Sequence, residues 1–426
     1  MARKMKDSGI EWIGEIPKGW EITKIKHIVS SVTDIDHFMP DSAEFGIPYL
    51  MIGDLKDLSS SIDWDSSKKI SIEDYKKLSI KSRPQIGDII FARYASIGTT
   101  CYIDTARDFL VSYACLTIHP SDLIIGKFLS YYLKSSSFAE DVLRRTNSNT
   151  QGNVGKDSLV NATIVLPSII EQTQIVNFLD AKCSDINAML SKTRSSIEEY
   201  KKLKQAVITQ AVTKGVRGER KMKDSGVEWI GTYPSNWKII KIKWLLHERK
   251  NRSVTGLEEP LSMSQKKGLI PTKDMDSIPN MASSFIGAKL VYKGDLVFNK
   301  LKAHLGVFSV SKYNGLVSPD YAVYYSTGPA NLNFLELLFK TPQYINEFKK
   351  KSSGVGAGLT RLYTGDLYSI YCALPPLVEQ EEIADYLDIK CTEIDRLIAK
   401  KEQLVKELES YKKSLIYEVV TGKREV

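Results

Sequence analysis

Apolar and polar positions follow two different rhythms along the first half of the chain. Across positions 28–166, short apolar runs of strand length alternate with turns. The runs fall at 47–52, 88–94, 99–103 and 114–118, and Gly53-Asp54 and Gly87-Asp88 supply turn chemistry between them. Over 124–145 the period lengthens: Phe128, Tyr131, Tyr132, Phe138 and Leu143 give an approximate helical spacing. These runs predict an α+β domain of roughly 130 residues. A longer pattern follows, with apolar residues at Ile175, Leu179, Ile186, Leu190, Ile197, Val207 and Ala211 and Lys and Glu between them. It predicts one helix. Ser168-Ile169-Ile170-Glu171 reads as a capping box at its start, and the helix runs to about Thr213, where Gly215 and Gly218 stop it.

The whole plan then occurs again. The opening stretch, KMKDSGIEWIGEIPKGWEITKIK from Lys4, returns from Lys221 as KMKDSGVEWIGTYPSNWKIIKIK, with about two-thirds of its positions identical. Trp12, Pro17 and Trp20 recur as Trp229, Pro234 and Trp237. Its glycines and proline predict a turn-rich segment anchored by the two tryptophans. Gly294-Asp295-Leu296-Val297-Phe298 repeats Gly87-Asp88-Ile89-Ile90-Phe91, which puts Lys300 where Arg93 stands. Leu374-Pro375 and Glu379-Gln380 repeat Leu166-Pro167 and Glu171-Gln172 and open a second long helix, striped by Ile394, Ile398, Leu404, Leu408, Leu415 and Val419.

A duplicated domain is the reading, with a first head at 1–165, a first helix at 166–215, a second head at 216–373 and a second helix at 374–426. The opening stretches and helices keep their residues, whereas the heads differ in length and sequence. That predicts a common frame carrying two heads with related tasks and different targets. Each helix is expected to span about 65 Å at 1.5 Å per residue. Such a helix needs a partner, and the other copy, running antiparallel, is the obvious one.

A formal charge of +8 and a pI near 8.9 favour a polyanionic partner only mildly. The five cysteines form no CxxC pair, so free thiols in a reducing cytoplasm are expected. No signal peptide and no long apolar run argue for secretion or a membrane span.

No catalytic constellation stands out. The five histidines lack ligand spacing, and there is no GxxxxGK[ST] loop. Gly354-Val355-Gly356-Ala357-Gly358 lacks the strand and helix of a phosphate loop, and Ser318-Pro319-Asp320-Tyr321 only faintly echoes a methyltransferase motif, so it reads as a loop-to-strand junction. What remains is surface suited to DNA. In the first head, Arg93, Tyr94 and Ser96 lie at a strand end, and Arg145 precedes a polar loop with Asn147, Asn149 and Gln151; Lys156 follows it. Arg pairs bidentately with guanine, and Asn or Gln with adenine. In the second head Lys300, Lys302 and His304 occupy the matching strand end, and Lys266, Lys267, Thr360 and Arg361 offer further donors. On residues alone, a self-sufficient methyltransferase or nuclease with an unrecognised site and a coiled-coil scaffold without nucleic acid both stay open.

Through the KDSGIEWIG…P…W opening, GDIIF and GDLVF, and LPxxxEQ before each long helix, the chain resembles the specificity subunit of type I restriction-modification systems over essentially its full length. The resemblance implies an α+β fold with two target-recognition domains and two long helices in an antiparallel coiled coil. It implies that each head reads one half of a split, asymmetric site in double-stranded DNA, and that the chain has no catalytic centre, no cofactor and no membrane contact of its own. The expected partners are two modification subunits carrying adenine-N6 methyltransferase and the methyl donor, and through them two restriction subunits that use ATP and Mg. Arg93 and the loop before Leu166 match positions that face DNA in that family.

Overall fold

A computed structural model describes residues 3–94, 97–145, 154–265, 267–277, 284–354 and 360–426. The chain divides into two compact units. One holds residues 1–194 and 403–426, the other residues 195–402. Each unit therefore contains one head and a segment of both long helices, Ile169–Lys214 and Leu377–Val420.

In the first unit the head is built on a four-stranded antiparallel sheet in the order Val29–Thr33, Cys115–Pro120, Ile89–Ala92, Thr100–Tyr102. A smaller sheet joins Lys69–Ile70, Ile47–Leu50 and Leu110–Val111 in that order, the first pair antiparallel and the second parallel. The expected strands are thus present. The single helix expected over 124–145 is two, Gly126–Leu133 and Ser136–Arg145. The break has a local cause. Ser135 Oγ accepts the Phe138 N–H at 3.3 Å and donates to the Tyr132 carbonyl at 2.7 Å, ending one helix and capping the next.

The opening stretch is a hairpin, Met5–Asp7 with Glu15–Pro17, followed by Glu21–Lys24, which pairs with Thr163–Leu166 at the far end of the head. Trp20 is fully buried, while Trp12 is half-buried under the Arg144 guanidinium, 4.7 Å from its ring. One apolar core joins Trp20, Ile25, Phe91 and Phe128 of the head to Ile175, Leu179, Ile186 and Leu190 of the first helix. Leu415, Ile416, Val419 and Val420 of the second helix join it too. The helix segments run antiparallel here: Asn187 accepts from Lys412 at 3.0 Å, and Arg194 pairs with Glu409.

The second unit repeats the sheet with Leu246–Glu248, Tyr321–Ser326, Leu296–Asn299 and Phe308–Val310 in the same order. Its helices, Leu332–Phe339 and Pro342–Lys351, also come as a broken pair, here with Pro342 opening the second. Lys238–Lys241 pairs with Tyr371–Leu374 as Glu21–Lys24 does with Thr163–Leu166. The core joins Trp237, Phe298, Phe334 and Phe339 to Ile383 and Leu387 of the second helix and Ala211 and Val212 of the first. The helix segments are again antiparallel, with Lys204 on Asp395 and Arg217 on Glu382.

The repeated sequence motifs meet one another inside each unit. The expected capping box is present: Glu171 Oε2 accepts from Ser168 N–H and Oγ at 3.2 and 2.9 Å. Its other oxygen takes the Trp20 indole N–H at 3.1 Å. Burial pushes Glu171 up, but the hydrogen bonds from Trp20 and Ser168 outweigh it and hold the carboxyl below its usual range. In the second unit Glu379 pairs instead with Arg220 and accepts from Asn236 at 3.3 Å.

The neighbouring glutamines are fully buried and bind only main chain. Gln172 accepts from Ile125 N–H at 2.8 Å and donates to the carbonyls of Leu123 and Pro167 at 3.2 and 3.0 Å. Gln380 does the same with Asn331 N–H, Pro329 and Pro375, at 2.8, 2.9 and 2.9 Å. Each glutamine thereby fastens a long helix to its head through two bonds to main-chain groups, with a third to the proline that precedes the helix.

All five cysteines are free. Burial pushes the thiols of Cys101, Cys115 and Cys372 up to about 12, which leaves them unreactive packing groups. No helix among the described residues is long and apolar enough to cross a membrane.

Candidate nucleic-acid interface

The GD turns and the cations lie at opposite ends of one strand in each head. At the start of the strand, Gly87 and Gly294 adopt φ of 93° and 94°, a left-handed geometry that glycine reaches without strain. The adjacent aspartates cap the turn: Asp88 accepts from Gln85 N–H at 2.7 Å and Asp295 from Tyr292 N–H at 2.9 Å. Asp88 also meets His119 at 2.9 Å, while Asp295 takes a bidentate pair from Arg249 at 2.8 Å, with that guanidinium 4.7 Å from both the Tyr292 and Tyr325 rings. The shared motif is thus a structural turn.

At the other end the strand delivers a cation to the head's rim. Arg93 follows Ile89–Ala92, with its N–H on the Ala114 carbonyl (2.9 Å) and its carbonyl taking the Val154 N–H (3.0 Å). Its Nη1 lies 3.2 Å from Asp34 Oδ2, and its guanidinium sits 5.8 Å from the ring of the exposed Tyr94. Asp34 therefore fixes the plane of the guanidinium, whose Nε is buried with no hydrogen-bond partner among the described residues. A planar donor held this way is arranged for bidentate pairing. Lys156 is exposed at the start of a short helix, Lys156–Val160, two residues beyond Val154, so the fold brings it near Arg93.

In the second head Lys300 follows Leu296–Asn299, and its carbonyl takes the Leu362 N–H at 3.0 Å, the counterpart of the Arg93–Val154 bond. This places Arg361 and Thr360, in a short strand paired with Ser353–Gly354, beside Lys300. Arg361 pairs with Asp320 at 2.8 Å, and its Nε is also buried without a partner among the described residues. Ser318 and Tyr321 close a turn (3.0 Å) just before Tyr321–Ser326, so Ser318–Tyr321 is the expected loop-to-strand junction, and its Asp320 serves Arg361. Lys302 is exposed, and His304 is half-buried in the turn Ala303–Leu305 with its Nδ1 unpartnered among the described residues.

Two of the expected donors are occupied elsewhere. Arg145 Nε is 2.9 Å from the buried Asp141, which also accepts the Thr163 N–H, so this arginine ties a helix to the strand Thr163–Leu166. Lys267 sits in the hairpin between Leu261–Ser264 and Gly268–Pro271 and pairs with Asp276 at 2.7 Å. Ser96, Asn147, Asn149, Gln151 and Lys266, together with most of the glycine-rich loop (355–358), lie outside the described residues. The residues that sequence reasoning missed are the partners: Asp34 and Asp320 on the arginines, and Glu248 with Lys289 below Lys300.

Arg93→Ala in the assembled complex is expected to cost about 1–3 kcal/mol of binding and to relax one position of one half-site. The measurement is binding to a panel of single-base variants of the target. A loss equal across the panel marks Arg93 as a phosphate contact instead.

Comparison with known proteins bears on this arrangement. Residues 17–199 match the type I restriction modification DNA specificity domain. The putative type I restriction enzyme MjaX specificity subunit of Methanocaldococcus jannaschii is 27% identical over 96% of this chain and 95% of its own length. The EcoKI specificity subunit of Escherichia coli K12 is 22% identical over 87% of this chain and 82% of its own. Among solved structures, a chain from a study of type I R-M complex assembly and conformational transition covers 96% of this chain with a TM-score of 0.70 at 16% identity. The HsdS subunit of Thermoanaerobacter tengcongensis covers 96% with a TM-score of 0.50 at 16% identity. The mixed α/β heads and the paired long helices are the fold of those structures. Family match, relatives and fold agree: over residues 17–199 the chain is similar to the type I restriction modification DNA specificity domain, and over nearly its whole length it is similar to type I restriction enzyme specificity subunits.

Proposed function

We propose that the chain gives a type I restriction-modification complex its DNA specificity, each head reading one half of a bipartite, asymmetric site. The observation that carries this reading is the strand-end cation. The same backbone position holds Arg93 on Asp34 in one head, and Lys300 beside the Arg361–Asp320 pair in the other. One frame thus presents a different cation at the same place in each head, so the two heads meet DNA differently.

The chain recognises, and its partners do the chemistry. Two copies of the frame offer equivalent places for two modification subunits, which supply adenine-N6 methyl transfer and hold the methyl donor. Two restriction subunits, with ATP and Mg, join through them. The complex works on double-stranded DNA in the cytoplasm. The purified chain given methyl donor and duplex DNA is expected to transfer no methyl group, and adding the modification subunit is expected to start adenine methylation. Turnover by the chain alone would overturn this division of labour.

A further inference from the structure

The rim of the second head carries one more cation than its carboxylates neutralise. Lys289, which is buried, pairs with Glu248 Oε1 at 2.9 Å, and Glu248 Oε2 takes the Thr364 hydroxyl at 2.8 Å. Burial pushes Glu248 up, yet hydrogen bonds from Lys289 and Thr364 outweigh it and hold the carboxyl below its usual range. Asp320 accepts from Arg361 at 2.8 Å. Both nearby carboxylates are therefore engaged. Lys300, half-buried between these two pairs, has no ion-pair partner among the described residues. Its burial, and then the charges of Lys289 and Arg361, push the ammonium below the usual lysine range.

Three cations face two carboxylates. A partly desolvated ammonium without a counter-ion is costly, and an anion arriving from solution relieves that cost. The first head differs at the equivalent position, because Arg93 already has Asp34. The side chains differ in kind as well. A guanidinium is a planar fork suited to a guanine edge, and an ammonium is a compact point charge suited to a phosphate.

We propose that Lys300 takes a backbone phosphate of the DNA, with Arg361, fixed by Asp320, as the neighbouring donor. The strand-end position would then anchor the duplex in the second head, whereas Arg93 reads a base in the first. This proposal rests on the DNA-reading function above.

The test uses Lys300→Met and Lys300→Arg chains assembled with the modification subunit. Affinity is measured against salt on a target duplex and on a duplex of unrelated sequence. One lost phosphate contact makes the slope of log K against log salt shallower by about 0.9, which at 0.1 M salt is a weakening on the order of 10-fold. Lys300→Met is expected to show that loss equally on both duplexes with the methylated motif unchanged, and Lys300→Arg to restore the slope. Equal thermal unfolding of Lys300→Met and wild type shows that the change is not one of folding. A motif relaxed at one position with the slope unchanged would make Lys300 a base reader and overturn the proposal, as would unchanged affinity and slope. A wild-type complex that methylates no bipartite motif fails the functional reading instead, while the slope on the unrelated duplex still judges Lys300.

Discussion

Deleting residues 415–426 is expected to unfold the first unit, although that unit's head begins some 400 positions earlier in the chain. Leu415, Ile416, Val419 and Val420 are each less than 5% exposed and belong to the same core as Trp20, Phe91 and Phe128. Burying such side chains contributes about 1.5–3 kcal/mol each, so together they supply roughly 6–12 kcal/mol. That is the scale of a whole domain's stability.

Polar contacts add to it. Lys423 Nζ donates to the Ile13 carbonyl at 2.6 Å, and Gly422, at φ 74°, lies so close to Pro17 that a Cβ there would stand 2.3 Å from its ring. The repeated opening stretch thus serves as the seat for the end of the second long helix. Calorimetry is expected to lose the first unit's transition and to keep that of the second, whose core lies within residues 195–402. Leu415→Ala, the milder change, is expected to cost about 2–5 kcal/mol. A truncated chain that melts like wild type contradicts the account.

Exchanging residues 28–165 for the same segment of a relative with another target is expected to replace one half of the recognised motif and leave the other half alone. The fastening explains why such a graft fits. Gln172 binds Ile125 and Leu123 of the exchanged segment through their main-chain groups alone, and Pro167 just outside it. The strand pair that closes the head, Glu21–Lys24 with Thr163–Leu166, is likewise a backbone ladder. A head with the same backbone path satisfies these bonds whatever its side chains. Each mismatched base pair costs about 1–3 kcal/mol, so a half-site of several pairs changes completely rather than by degree.

Much of this was legible in the sequence because the chain states its plan twice. Duplication fixed the correspondence of Trp20 with Trp237 and of Gln172 with Gln380, and the capping box and stop glycines bounded the first helix to within a residue or so. The break at Ser135 escaped notice because the apolar period runs through it, while a single hydroxyl decides the cap. The return of each helix end to the unit whose core it completes depends on tertiary packing, which periodicity does not encode.

At the rim, the cations were visible and their counter-ions were not. Asp34 lies 59 positions from Arg93 and Asp320 lies 41 from Arg361, separations that no local pattern connects. Arg145 is the instructive opposite. Its partner Asp141 stands four residues before it, a helical ion-pair spacing that marks a structural role in advance.

The central claim is that one chain carries two independent readers on one frame. Methylome sequencing of a host expressing this chain with its modification subunit tests it most directly, with the exchanged 28–165 head run in parallel. The expected result is adenine methylation at a single bipartite motif, with one half altered by the exchange and the other unchanged. A continuous motif in an active complex, or an exchange that alters both halves together, would contradict it.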